Sequence, residues 1–115
     1  MPTEKLLVRI MLEEMSGLIA TLKGVSSEQY VADWDKLRAV ERAFEKIGQI
    51  AKDLGENVLA EMGKELPWRN VKGIRDVLAH DYAEIDHKIL WEVATGPKLK
   101  ILLDAVTAYA RKKGY

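Results

Sequence analysis

Cysteine is absent from this chain, phenylalanine occurs once, histidine twice and proline three times. The first absence excludes disulfides, thiolate nucleophiles and cysteine-based metal sites, and it fits a reducing cytoplasm, which is the expected location. No run of about 18 apolar residues occurs, so no membrane span is expected. The opening stretch MPTEKLLVRIMLEEM sets Glu4, Glu13 and Glu14 inside its apolar pattern, which does not fit a signal peptide. An excess of one charge is also missing, since eighteen basic residues balance eighteen acidic ones. A broad polyanion-binding face is therefore not advertised, and any contact with nucleic acid has to be local. Repeats, low-complexity tracts, strand-like alternation and a glycine-rich loop carrying a lysine are lacking too. The last of these excludes a phosphate-cradling P-loop.

What is present is helical periodicity. The 115 residues suffice for one domain, 1–115, able to bury roughly 60–70% of the surface its unfolded chain exposes. Leu7, Met11, Met15, Leu18 and Leu22 fall on one helix face, with Thr3 as a cap and Gly24 at the end. Ser26 and Gln29 have capping-box spacing, and Asp33 or Asp35 offers a later start for the next helix. That helix carries Leu37, Val40, Phe44, Ile47, Ala51 and Leu54 as a stripe, and Gly55 stops it. Such a stripe belongs to the core, a partner helix, or both. Residues 56–66 read as one or two turns. Pro67 suits the first turn of a helix whose inward positions are Trp68, Val71, Ile74 and Leu78. Asp86 can cap a further piece, and the break at Thr95, Gly96 and Pro97 separates it from a last helix. That helix carries Leu99, Leu102, Leu103, Val106 and Tyr109, and basic residues at its end suit the helix dipole. The expected fold is all-α, an up-and-down bundle of four to five helices.

The segment GIRDVLAHDY, 73–82, draws chemistry together near one helix end. Arg75 is a permanently charged fork matched to phosphate oxygens. His80 can give or take a proton near neutral pH. Tyr82 adds a hydroxyl and a stacking face. Positions five apart differ by roughly 140° around a helix, so Arg75 and His80 converge only through a loosened helix near Ala79 or through the long arginine arm. With a phosphate between them they form a small phosphodiester site needing no metal and no cofactor. Arg69 and Lys72 could guide a nucleic-acid backbone, and Asn70 could bond a base or sugar or simply cap a turn. Each residue also has an ordinary use: His80 as a helix-end cap, Arg75 paired with Asp76 or Asp81, Tyr82 packed, and Arg69 and Lys72 as solvated charges. His80 and His87 would stand roughly 10 Å apart on a continuous helix, too far to share one ion, which leaves Asp81 or Asp86 as weak metal partners.

Two stretches carry a family likeness: RAVERAFEKIGQIAK, 38–52, and PWRNVKGIRDVLAHDYAEIDHKILWEV, 67–93. They resemble the HepT-type toxins of the HEPN superfamily, with the Arg75-x4-His80-x-Tyr82 pattern behind a Pro-Trp opening. One departure is that Gln49-Ile50 stands where the family often has Glu-Ala after Ile-Gly. The resemblance implies a compact HEPN-like helical bundle that commonly dimerises. It further implies a metal-independent endoribonuclease in which Arg75 and His80 act on RNA where two subunits meet. It also implies a cognate nucleotidyltransferase antitoxin that adds AMP to the motif tyrosine, Tyr82. The other reading of the same residues is a non-catalytic helical module that binds a nucleotide or that nucleotidyltransferase.

Overall fold

Caps divide the chain where the sequence places them. In the computed structural model, which describes residues 2–80 and 82–115 and only the backbone of Tyr82, the Thr3 hydroxyl accepts from the Leu6 N–H at 3.1 Å and starts α1, Glu4–Leu22. Ser26 and Gln29 close a complete capping box over α2, Ser27–Val31. Asp33 accepts from the Lys36 N–H at 3.1 Å and starts α3, Trp34–Leu54. Both candidate starts are thus used, one for a single short helix and one for the long one. Gly55 has φ 87°, a left-handed value that glycine adopts without strain, and ends α3.

The remaining elements are α4 (Glu56–Gly63), α5 (Trp68–His80), a 3₁₀ turn (Tyr82–Glu84), α6 (His87–Thr95) and α7 (Pro97–Lys113). The all-α expectation holds. The five longer helices are those expected, α4 supplies the one or two turns read in residues 56–66, and α2 uses the Ser26 cap for a short helix of its own. Asp86 caps α6 through the Lys88 and Ile89 N–H groups, and Pro97 occupies the first turn of α7. No helix among the described residues is long and apolar enough to cross a membrane.

The stripes meet in one core. Met11, Met15 and Leu18 of α1 are buried with Val40, Phe44 and Ile47 of α3, Trp68 and Leu78 of α5, Leu90 of α6, and Leu99, Leu102 and Val106 of α7. Helix α3 packs on α1 and along α5, and α7 packs on α1, α4 and α6. Two polar ties fix the periphery. The Trp91 indole N–H donates to the Val25 carbonyl at 2.9 Å, fastening α6 to the α1–α2 loop. The Tyr109 and Tyr115 hydroxyls both donate to Glu4 Oε2, at 2.7 and 2.5 Å, tying α7 and the chain end to the start of α1.

Candidate functional site

The site is built on the seam between α3 and α5. Gly48 lies buried in the middle of α3, where a helix-favouring residue would be expected. A Cβ there would stand 2.2 Å from Arg75 Cβ and 3.0 Å from the Val71 carbonyl oxygen. Only the missing side chain lets α5 seat this closely, and the seat falls at Arg75 itself. A glycine inside a strong helical pattern is the signal that could have revealed this close approach. Which helix it faces could not be read from the sequence.

Arg75 leaves that seam only about a quarter exposed, its side chain retaining 24% of its accessible surface. Its Nη1 donates to Asp76 Oδ1 at 3.3 Å, which realises the ordinary pairing with Asp76. The alternative pairing with Asp81 lies outside the described residues. Lys52 of α3 reaches across and donates to the same Asp76 oxygen. That hydrogen bond, more than the neighbouring Arg75, holds the Asp76 carboxyl below the usual carboxylate range. Lys52, Asp76 and Arg75 thus form a chain from α3 to the guanidinium. The Arg75 Nε is buried with no hydrogen-bond partner among the described residues. Buried donors are normally satisfied, so this nitrogen is an exception in the packing of the seam. The side chain lines a groove of about 250 Å³ together with Ile10, Arg42, Glu45, Lys46, Gln49 and Ile50.

His80 is the last residue of α5 and is exposed. The helix does not loosen near Ala79: α5 runs unbroken from Trp68 to His80. The two side chains therefore leave one helix roughly 140° apart in direction and about 7.5 Å apart along its axis. Arg75 turns toward α3, and His80 stands at the free end. The Tyr82 backbone opens the 3₁₀ turn directly beyond, while its side chain and the whole of Asp81 lie outside the described residues.

The three further RNA-contact candidates do not gather at this point. Arg69 and Asn70 are exposed and border a largely apolar groove of about 500 Å³ between α5 and α6, with Val77 and Ile89 on its walls. Lys72 instead donates to Glu56 of α4, its ordinary use as a paired charge. His87 belongs to the next helix, with its ring edge-on to buried Tyr30 at 6.3 Å. Burial in this packing pushes the Tyr30 hydroxyl up to about 12. The residues missed in the sequence are Arg42, Lys46, Gly48 and Lys52, all on α3, the helix whose stripe was read for the core or a partner helix.

A helical bundle with a forked cation seated at a helix seam and an imidazole at the end of the same helix has the parts of a phosphodiester-handling domain. A family model described as "Ribonuclease HepT-like" matches residues 11–107. Among similar proteins, "Putative RNase TTE0752" of Caldanaerobacter subterraneus subsp. tengcongensis is 35% identical over 92 residues, covering 80% of this chain and 81% of that one. "Putative RNase MJ1380" of Methanocaldococcus jannaschii is 30% identical over 91 residues, 77% of this chain and 83% of that one. "Probable ribonuclease HepT" of Thermococcus cleftensis is 35% identical over 65 residues, 56% of this chain and 58% of that one. No solved structure matches. The chain belongs to the HepT-like ribonuclease family, the HEPN-type group that its Arg-x4-His segment resembles.

Proposed function

We propose that this protein is a metal-independent endoribonuclease, the toxin of a toxin–antitoxin pair, working in the cytoplasm on RNA. The observation that carries the reading is the seating of Arg75: a guanidinium fixed by Gly48 and Asp76 and still about a quarter exposed, on the helix that ends in an exposed His80. In the reaction, the ribose 2′ oxygen attacks the adjacent phosphorus. The bond to the 5′ oxygen breaks, leaving a cyclic phosphate and a free 5′ hydroxyl. Arg75 grips the non-bridging oxygens and offsets the charge growing on them. His80 takes the 2′ proton or protonates the leaving 5′ oxygen, help worth roughly 10²–10⁴-fold.

The outward divergence of the two side chains supports a homodimer. A two-fold axis brings the partner's His80 beside each Arg75, supplying the proton carrier that a chain's own helix turns away from it. Control falls on Tyr82. A partner nucleotidyltransferase antitoxin moves AMP from ATP to the tyrosine hydroxyl and releases pyrophosphate. The added bulk and negative charge exclude the RNA phosphate two residues from His80.

The test is cleavage of labelled RNA in excess EDTA. Cleavage should persist in the wild type and be lost in Arg75→Ala and in His80→Ala. Mixing the two inactive chains should restore part of the activity, because a mixed dimer holds an intact Arg75 and an intact His80 on different subunits. A wild type inert toward RNA, or alanine variants that cut as well as it does, refutes the reading.

A further inference from the structure

The groove beside Arg75 continues along α3. Its walls carry Arg42 and Lys46 as well as Arg75, against the single carboxylate of Glu45. Outward from it, Arg42, Arg38 and Trp34 follow one another at four-residue steps, so they form one ridge advancing about 6 Å per step. Trp34 is 67% exposed, more than any other large apolar side chain among those described, and the Arg38 guanidinium lies 5.3 Å over its ring. A basic groove followed by an open aromatic face is the arrangement that holds unpaired nucleic acid: cations track the backbone and the ring stacks a base.

The cations now carry acidic partners: Glu41 on Arg38 at 3.0 Å, Glu45 on Arg42 at 2.8 Å and Glu14 on Lys46 at 2.9 Å. The Arg42–Glu45 pair, exposed on both sides, contributes little and is screened by salt, while Glu41 and Glu14 are partly buried. A phosphate offers an arginine fork a bidentate grip with more charge, whereas each of these arginines meets its glutamate through Nη1 alone.

We propose that α3 is the track along which single-stranded RNA enters the site. Arg42 and Lys46 hold the backbone phosphate next to the one at Arg75, and the strand passes over Arg38 to stack a base on Trp34. The choice of ligand rests on the ribonuclease reading; the direction of the strand and the residues that grip it are additional. Glu45 acts against binding, since it holds Arg42 in competition with phosphate.

The test uses the His80→Ala chain, so that RNA is not consumed, and a fluorescein-labelled single-stranded oligoribonucleotide followed by anisotropy over a range of salt. Arg42→Gln with Lys46→Gln should flatten the dependence of log Kd on log salt by roughly 0.7 for each phosphate that is no longer neutralised. Trp34→Ala should weaken binding about fivefold or more and leave that slope alone. Glu45→Gln should tighten binding, a gain that no damaged fold would give. Lys112→Gln with Lys113→Gln, at the far end of α7, is the control and should leave the slope nearly unchanged. An unaltered slope in the α3 double variant, or wild-type affinity in Trp34→Ala, overturns the track and turns attention to a protein partner for this ridge. Cleavage by the wild type is measured beside it. Cleavage with unaltered slopes sinks the track alone; altered slopes without cleavage sink the nuclease alone. Failure of every form to bind RNA sinks both.

Discussion

Replacing Gly48 with alanine tests how Arg75 is held. The added methyl carbon would begin 2.2 Å from Arg75 Cβ, and ordinary contact starts near 3.4 Å. The neighbour is the root of a side chain on a packed helix, so rotating a bond does not relieve the clash. Helix α5 has to back away from α3 by about 1 Å at this turn. Overpacking of this kind costs about 1–3 kcal/mol, and the better helix propensity of alanine returns about 1. The net destabilisation is therefore modest, about 0–2 kcal/mol. A chain of this size registers it as a fall in Tm of up to about 10 degrees. Activity should respond far more, because a displacement of about 1 Å in a catalytic group can cost about 10²-fold. The expected signature is a small loss in thermal or urea unfolding together with a large loss of kcat for RNA cleavage. Gly17→Ala in α1 is the matched control. A Cβ there meets nothing within 4 Å, so that variant should gain up to about 1 kcal/mol and keep full activity. If Gly48→Ala were as stable as Gly17→Ala and as active as the wild type, the seating of Arg75 on α3 would be wrong.

Lys52→Met should raise the Asp76 carboxyl toward its ordinary value, read by NMR titration, and should lower kcat more than it raises KM; Lys52→Arg should restore both. Glu4 is held below its ordinary value of 4.5, first by the Tyr115 hydroxyl and then by that of Tyr109. Its contribution to stability is therefore complete above about 4.5 and fades as pH falls through the lower folded value. The Tm difference between wild type and Glu4→Gln should accordingly be constant near neutrality and shrink on acidification below that point. A difference that grows in acid would contradict the Glu4–tyrosine tie.

Local signals carried the fold far. Ser26 and Asp33 were both readable as caps, and both act as caps because capping depends on a handful of adjacent residues. The stripes of α1, α3 and α7 were readable for the same reason, since a 3.6-residue period is a property of one helix alone. Residues 56–66 were harder. The eight residues of α4 are too few to establish a period, and its hold comes from packing on α7 and α3. Ion pairs divide along the same line. Arg38–Glu41 and Arg42–Glu45 are fixed by spacing within one helix, whereas Lys52–Asp76 and Lys72–Glu56 span 24 and 16 positions and exist only after the helices have docked.

The candidate site was legible in its residue types and not in its directions. A motif written as Arg-x4-His gives a guanidinium and an imidazole on one helix, and helix geometry then forces them apart rather than together. The sequence leaves a loosened helix or a long arm as ways to close that gap. The structure keeps the helix intact and commits the arm to α3, through a glycine whose importance lies wholly in what faces it. Arg75 is thus positioned by its own chain and His80 is not: the imidazole stands on an exposed helix end with freedom to meet a surface that comes to it. On the proposed reading, that asymmetry leaves a second subunit to bring the missing neighbour. It also separates two kinds of damage. Changes at Gly48 or Lys52 should disturb the phosphate grip within each chain, while changes that weaken the proposed dimer should disturb proton transfer and leave the grip, and RNA binding with it, largely in place.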